Sequence, residues 1–334
     1  MSLADVLVTR AFPDEVVDAY SDELSIEQGK PDAYMPRAEL LDRVSAVQAL
    51  VSYGGDQVDD DLMSHAPELR IVANFGVGYD SVDVPSATRR GIWVSNTPDV
   101  LTESTADVAL LLLLGVLRRA PEGFEMVRHG GWDMVRPEAL WGSDPSELTL
   151  GILGLGRIGQ ALARRVAPLG MPVIYHSRHR VAPEIEESLR ARWVTFDELL
   201  AECDVLSVHV PLTSETRGLI GSKELARMRP GSFVINAARG PTFDEDALVE
   251  ALVSGHIAGV GLDVFAHEPQ VPQALREHPR AFYLPHIGSA TKGTRFAMMR
   301  LCLDNVAAVL RGEAPITPVN SLATGGEPTP EHAH

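Results

Sequence analysis

Gly154, Gly156 and Gly159 form the pattern G-x-G-x-x-G between an apolar run, LTLGIL, and a helical pattern, GQALARRVAPLG. In that setting the first glycine permits a tight turn, the second lets a pyrophosphate approach the backbone, and the third lets the helix pack closely on the strand. The helix N-terminus then offers the phosphates unpaired N–H groups and a partial positive charge. A dinucleotide is expected to dock along Gly154, Leu155, Gly156, Arg157, Ile158 and Gly159. The next apolar run, MPVIYHS, ends in Ser177, Arg178, His179 and Arg180, where a carboxylate would normally meet the adenine ribose 2′-hydroxyl. Nothing there repels a 2′-phosphate, and a guanidinium can pair with one bidentately. NADPH is therefore expected to be preferred over NADH, with solvated loop charges as the other reading of Arg178 and Arg180.

Three further segments stand at the ends of expected strands: FVINAARG with Arg239, GLDVFAHEP with Asp263 and Glu268, and YLPHIGS with His286. Ligands of doubly wound sheets bind outside the carboxyl ends of the strands, so these segments can converge on the nicotinamide edge. NFGVGYD, with Gly76 and Gly78, also follows an apolar strand; its glycines suit a tight turn or exposed amides. Trp141, in EALWGSD, lies in a loop with no core pattern, which leaves an interface anchor as one reading.

The elements that must carry these residues are legible as alternating patterns. Short β-branched runs (DVLVTR, AVQALVS, LRIVANFG, IWVSN, LTLGILG, PVIYHS, DVLSVHV, SFVINAA, GVGLDVF) alternate with helical segments. The helices are expected at Thr105 to Arg119, Ile158 to Leu169, Asp244 to Ser254 and Phe296 to Leu310. Such alternation predicts an α/β fold of two doubly wound parallel sheets. At 334 residues the chain is too long for one compact core and suits two domains. NTPDVLTESTAD and HIGSATKGT are the hinge candidates.

Composition narrows the functional classes. A 45% hydrophobic and 22% charged chain is a folded globular protein. Its net charge of −17 argues against binding nucleic acid or anionic lipid through the overall field, although a local basic pocket can still hold a small anion. The longest apolar run, Val108 to Leu114, falls short of the roughly 18 residues of a membrane span. No membrane role is expected. MSLADVLVTR lacks the n- and h-regions of a secretory signal, and Cys203 and Cys302 read as reduced core thiols, which together point to the cytoplasm. The tail TGGEPTPEHAH has no core-forming residues; His332 and His334 suit only opportunistic metal binding, and no metal site is expected.

Taken together, NFGVGYDSVD, NTPDVLTESTADVALLLLL, GLGRIGQALARR, INAARG, GLDVFAHEP and LPHIGSAT resemble the D-isomer-specific 2-hydroxyacid dehydrogenase family along nearly the whole chain, and within it the glyoxylate/hydroxypyruvate reductases. The resemblance implies a flavodoxin-like substrate domain of residues 1–98 and 289–322, a Rossmann cofactor domain of 99–288 inserted into it, a tail of 323–334, and a homodimer with its active site in the interdomain cleft. Carried over by position, His286 is the general acid, Glu268 its carboxylate partner and Arg239 the anchor of the substrate carboxylate and keto oxygen. This chemistry is sound in its own right. A carboxylate beside an imidazole favours the imidazolium and fixes its orientation, and a guanidinium gives a carboxylate a fixed fork of donors. The resemblance also implies backbone amides of Val77 and Gly78 on the substrate carboxylate, Leu101 and Ser289 beside the substrate, and Asp263 on the nicotinamide carboxamide. Pro211 to Thr216, Ala237 and Gly288 would line the cofactor, and Trp141 would reach the partner's active site. GPTFDEDAL departs from relatives that carry a second glycine and a valine after the arginine. The expected activity is NADPH-dependent reduction of glyoxylate and hydroxypyruvate. A bulkier 2-oxo acid is the nearest alternative, and a nucleotide-sensing corepressor or scaffold is the alternative of another class.

Overall fold

The computed structural model describes residues 4–322, so the expected tail, with His332 and His334, lies outside the described residues. The chain divides into two compact units, one running to Leu101 and resuming at Thr291, the other spanning Thr102–Ala290.

In the first unit β1 (Ala4–Val8), β2 (Leu24–Gln28), β3 (Ala49–Ser52), β4 (Ile71–Asn74) and β5 (Trp93–Ser95) form a parallel sheet of order β2-β1-β3-β4-β5. That is the flavodoxin-like order, which reverses direction at β1. In the second unit β6 (Leu150–Leu153), β7 (Val173–His176), β8 (Ala191–Trp193), β9 (Val205–Val208), β10 (Ser232–Asn236), β11 (Ile257–Leu262) and β12 (Ala281–Tyr283) form a parallel sheet of order β12-β11-β10-β9-β6-β7-β8. It is the Rossmann order with a seventh strand added. Every residue of β3, β4, β6, β9 and β10 is buried, as expected where helices cover both faces of a parallel sheet.

Two strands, β2 and β8, were not expected from sequence, and β12 was expected only as the strand that YLPHIGS ends; all three are sheet edges. β2 pairs only with β1 and exposes alternate residues, so its LSIEQ lacks an apolar run; β8 and β12 are three residues each. The long helices start a turn earlier than their apolar periodicity suggests, at Thr102 and Lys292, because their first turns are polar. Thr291 caps the second of these, its Oγ1 accepting from the Thr294 amide at 3.2 Å. The helix after the glycine pattern, Arg157–Val166, tightens into a 3-10 turn over Ala167–Leu169 and stops at Gly170, whose φ of 71° suits a residue without Cβ.

The helix Lys292–Leu310 belongs to the first unit, where it lies on β3 and β4, and the segment after it is fastened to β5. The Val94 amide donates to Asn320 Oδ1 at 2.8 Å, and the fully buried Asn305 side chain bonds Thr317 from both ends of its amide. Thr317 Oγ1 in turn donates to the Asn96 carbonyl at 2.6 Å. Cys203 and Cys302 are buried and unpaired. Among the described residues no cluster of side chains is suited to a metal ion, and no helix is long and apolar enough to cross a membrane.

Candidate functional site

At the carboxyl ends of β10, β11 and β12, all in the second unit, the structure gathers Arg239, Asp263, Glu268 and His286. The Nδ1 of His286 lies 2.7 Å from Glu268 Oε2, and the other carboxylate oxygen accepts from the Phe265 amide at 3.0 Å. A carboxylate only accepts, so Nδ1 carries its proton toward Glu268 and Nε2 is the ring atom left to exchange one with a ligand. Burial pushes the Glu268 carboxyl up, but the His286 hydrogen bond and charge, with a smaller share from the Arg239 guanidinium, leave it below its ordinary value of 4.5.

His286 has a φ of 54°, the left-handed region that a residue with a branched ring rarely adopts. Asp263 holds it there. The His286 amide donates to the Asp263 carbonyl at 2.9 Å, and the next two amides, of Ile287 and Gly288, each donate to one of its carboxylate oxygens at 2.8 Å. Three consecutive amides thus rest on one residue, 1% exposed, whose carboxyl burial pushes above its ordinary value. A strained backbone persists only where its surroundings over-determine it. Sequence reading gave Asp263 a cofactor role; the geometry shows what its two oxygens hold in this structure, and the signal was its place immediately after a buried strand.

Arg239 follows β10 with Ala237 and Ala238. Its carbonyl accepts from Asn236 Nδ2 at 2.9 Å and Thr242 Oγ1 at 2.7 Å, and its Nη1 donates to the Ala238 carbonyl at 2.9 Å. Thr242 comes from the departing GPTF stretch, which therefore braces Arg239. A Cβ on Gly240 would fall 1.9 Å from the Phe265 carbonyl carbon and 2.5 Å from the Ala266 nitrogen, both backbone atoms that cannot swing aside. Gly240→Ala is accordingly expected to destabilise the fold by at least about 2 kcal/mol, near 4–8 °C in melting temperature, and to misplace Arg239. Thermal denaturation with steady-state kinetics checks this; an unchanged Tm and kcat would contradict the close packing.

The glycine pattern is built as a phosphate cradle. Gly154 has a φ of 97°, Gly156 has open space where a Cβ would stand, and a Cβ on Gly159 would lie 2.4 Å from the Gly154 carbonyl oxygen. Gly156 caps the helix beginning at Arg157 without any side-chain hydrogen bond, and Ile158 follows in its first turn. These features fit a dinucleotide pyrophosphate. Leu155 is buried, and its amide donates to Ser177 Oγ at 2.8 Å, so the ribose end of β7 is tied to the phosphate loop. Arg178 is exposed. The neighbouring loop is closed by Thr216 Oγ1 donating to the Pro211 carbonyl at 2.6 Å. Its Glu215 carboxyl is held below the ordinary range chiefly by the Thr213 hydroxyl, with a smaller share from Arg178. Arg178 and that loop are therefore neighbours. Ala237 and Gly288 are buried, and Ser289 is half-buried.

In the first unit, β4 runs into the Gly76–Gly78 turn. The Gly76 carbonyl accepts from Asn74 Nδ2 at 3.1 Å and the Thr97 amide at 3.0 Å, the Val77 carbonyl from Asn96 Nδ2 at 2.8 Å, and the Gly78 carbonyl from Asn74 Nδ2 at 3.0 Å. In a planar trans peptide the N–H points opposite the carbonyl, so tying these carbonyls aims the Val77 and Gly78 amides away from the two asparagines. Neither amide donates to a protein acceptor among the described residues. Two such amides suit a carboxylate. Asn74 and Asn96 carry no signal of this role in the sequence, since their partners lie in a turn whose shape one strand pattern does not disclose. Leu101, 7% exposed, ends this unit's first stretch.

Trp141 lies in the second unit, 71% exposed, its indole N–H donating to the Pro137 carbonyl at 2.6 Å. Phe124, Val127, Trp132, Met134 and Val135 of the same stretch are also exposed.

A family model described as "D-isomer specific 2-hydroxyacid dehydrogenase, NAD binding domain" matches residues 110–288. The chain is 45% identical to a protein of Thermococcus gammatolerans named glyoxylate reductase, over 94% of this chain and 95% of that one. Among solved structures, a glyoxylate reductase from Paecilomyes thermophila is 38% identical with a TM-score of 0.86, covering 96% of this chain and 99% of that one. An NADPH-dependent glyoxylate/hydroxypyruvate reductase from Sinorhizobium meliloti, solved in complex with NADP and malonate, is 39% identical with a TM-score of 0.81, covering 95% of this chain and 97% of that one.

Proposed function

The chain belongs to the D-isomer-specific 2-hydroxyacid dehydrogenase family and is an NAD(P)-dependent oxidoreductase, and from that premise we propose that it reduces glyoxylate to glycolate and hydroxypyruvate to D-glycerate, with NADPH preferred over NADH. The observation that carries the reading is the His286–Glu268 pair at 2.7 Å with the Arg239 charge felt at the same carboxylate. Relatives named glyoxylate reductase supply the substrate class.

A nicotinamide held by these residues would supply a hydride to the substrate C2. Arg239 takes the substrate carboxylate and keto oxygen in its donor fork and stabilises the negative charge that grows on that oxygen. His286 hands it a proton from Nε2. Glu268, bonded at Nδ1, orients the ring for the transfer. The Val77 and Gly78 amides are assigned to the substrate carboxylate, and Leu101 and Ser289 to the substrate's surroundings.

The NADPH preference rests on Ser177 and Arg178 standing where an acid would repel a 2′-phosphate, and on a relative described as NADPH-dependent. Homodimer formation is supported by the exposed aromatic and aliphatic side chains around Trp141. A cytoplasmic setting accords with the unpaired buried thiols.

A steady-state panel of 2-oxo acids with each cofactor tests the reading. Glyoxylate and hydroxypyruvate are expected to give the highest kcat/KM, and NADPH to exceed NADH by roughly tenfold or more, an advantage that Arg178→Ala removes. Faster turnover of aromatic or branched 2-oxo acids would refute the substrate assignment. Equal efficiency with both cofactors would refute the cofactor preference.

A further inference from the structure

The segment after β7 is fastened at both ends. At its start, Ser177 Oγ accepts from the Leu155 amide at 2.8 Å. At its finish, Arg180 meets Glu186 as a fork on a carboxylate, Nε to Oε1 at 2.8 Å and Nη2 to Oε2 at 2.6 Å. The same Glu186 Oε1 accepts from the Tyr175 hydroxyl at 2.7 Å, and that hydroxyl accepts from the Val181 amide at 3.0 Å. Tyr175 is fully buried in β7, so the chain end of the segment is tied to the sheet through one carboxylate. Arg178 sits between the two fastenings, exposed, with its charge felt at the Glu215 carboxylate of the neighbouring loop.

We propose that Glu186 is a positioning residue for the adenine-ribose 2′-phosphate: by clamping Arg180 and Tyr175 it holds the Ser177–Val181 segment in the form that presents Arg178. The proposal rests on the NADPH reading above. It also assigns the two arginines different tasks, Arg178 as the phosphate ligand and Arg180 as a strut.

The physical case is one of preorganisation. An arginine used as a phosphate ligand must lose the freedom of its own side chain and of the loop that carries it, and a loop already fixed loses less on binding. Glu186 is suited to the fixing role. Its side chain is 12% exposed against 63% for Arg180, so the carboxylate lies beneath the loop with its charge matched by the guanidinium. The Arg180 bond, and after it the Tyr175 bond, lower its carboxyl to about 2. Burial, then the Glu186 bond, raises the Tyr175 hydroxyl to about 12. The clamp therefore keeps one protonation state across the working range. Its contribution is complete above the ordinary carboxyl value of 4.5 and is lost only as pH falls toward about 2.

The competing reading uses the same atoms with the opposite sign. If Arg180 were itself the phosphate ligand, Glu186 would be its competitor, and removing the carboxylate would release it.

Calorimetric titration with adenosine 2′,5′-bisphosphate and adenosine 5′-monophosphate decides between them without turnover. For the bisphosphate, Glu186→Gln and Arg180→Ala are each expected to weaken binding roughly 5–10-fold, the double variant no more than either alone, and Arg178→Ala more than any of them. The monophosphate should stay within about twofold throughout, which shows that the fold and the adenine site are intact. Tighter binding by Glu186→Gln, or no change in either clamp variant, overturns the positioning role. If Arg178→Ala weakens the bisphosphate while the clamp variants do not, the proposal alone fails; if Arg178→Ala changes nothing, the NADPH reading fails and takes the proposal with it.

Discussion

Replacement of His286 by glutamine is expected to lower kcat for glyoxylate by about 10³-fold or more while leaving cofactor binding within a few-fold. Glutamine keeps a hydrogen bond to Glu268 but holds no transferable proton at the position of Nε2. The loss therefore falls on the chemical step. The proposed cofactor contacts lie elsewhere, on the Gly154–Gly159 cradle and the Ser177–Arg178 end of β7, which share no hydrogen bond with His286 among the described residues. Fluorescence titration of the nicotinamide cofactor against single-turnover kinetics separates the two quantities. A variant that keeps more than a tenth of wild-type turnover would remove His286 from the role of proton donor. Glu268 sets the acid side of the pH profile. Its folded carboxyl lies below the ordinary 4.5, so the pairing is complete above that value and is lost as pH falls through the lowered one. Activity should accordingly show no limb from Glu268 above about pH 4.5.

What could be seen in the sequence is what depends on local repetition. β3, β4, β6, β9 and β10 are buried on both faces and so are written as largely apolar runs, and of the patterned glycines Gly154 is demanded by its φ of 97° and Gly159 by a contact that admits no Cβ, while Gly156 leaves open space. The edge strands β2 and β8 left no such run. Nor did the contacts that bridge distant parts of the chain: Thr317 reaches Asn96, which orients the Val77 carbonyl, yet these partners are 221 residues apart and each is an ordinary loop residue by type. The fastening of three amides on Asp263 and of Arg180 on Glu186 are likewise pairings of common residues whose meaning is purely spatial. Arg239, Glu268 and His286 could be singled out because strand ends of a doubly wound sheet converge, but their mutual distances had to come from the fold.

Arg239→Lys is expected to lower kcat/KM for glyoxylate by about 10²–10³-fold, although the positive charge is kept. Lysine presents one point charge with three rotatable donors, whereas Arg239 presents a planar fork aligned by its own surroundings. The backbone that carries it is fixed by Asn236 and Thr242 on its carbonyl and by the close approach of Gly240 to Phe265. A lysine there would inherit the fixed backbone without the fork. It would meet either the substrate carboxylate or the keto oxygen, and the missing contact is the one whose strength grows as charge develops, so kcat should fall along with a rise in KM. Because a cation still faces Glu268, the carboxylate stays ionised and the His286 pair is undisturbed; Arg239→Gln removes that charge as well and should fall further. Comparing the two variants separates geometry from charge. Should the lysine variant retain kcat/KM within threefold of wild type, the requirement would be for charge alone, and the two-point grip on the 2-oxo acid would have to be abandoned.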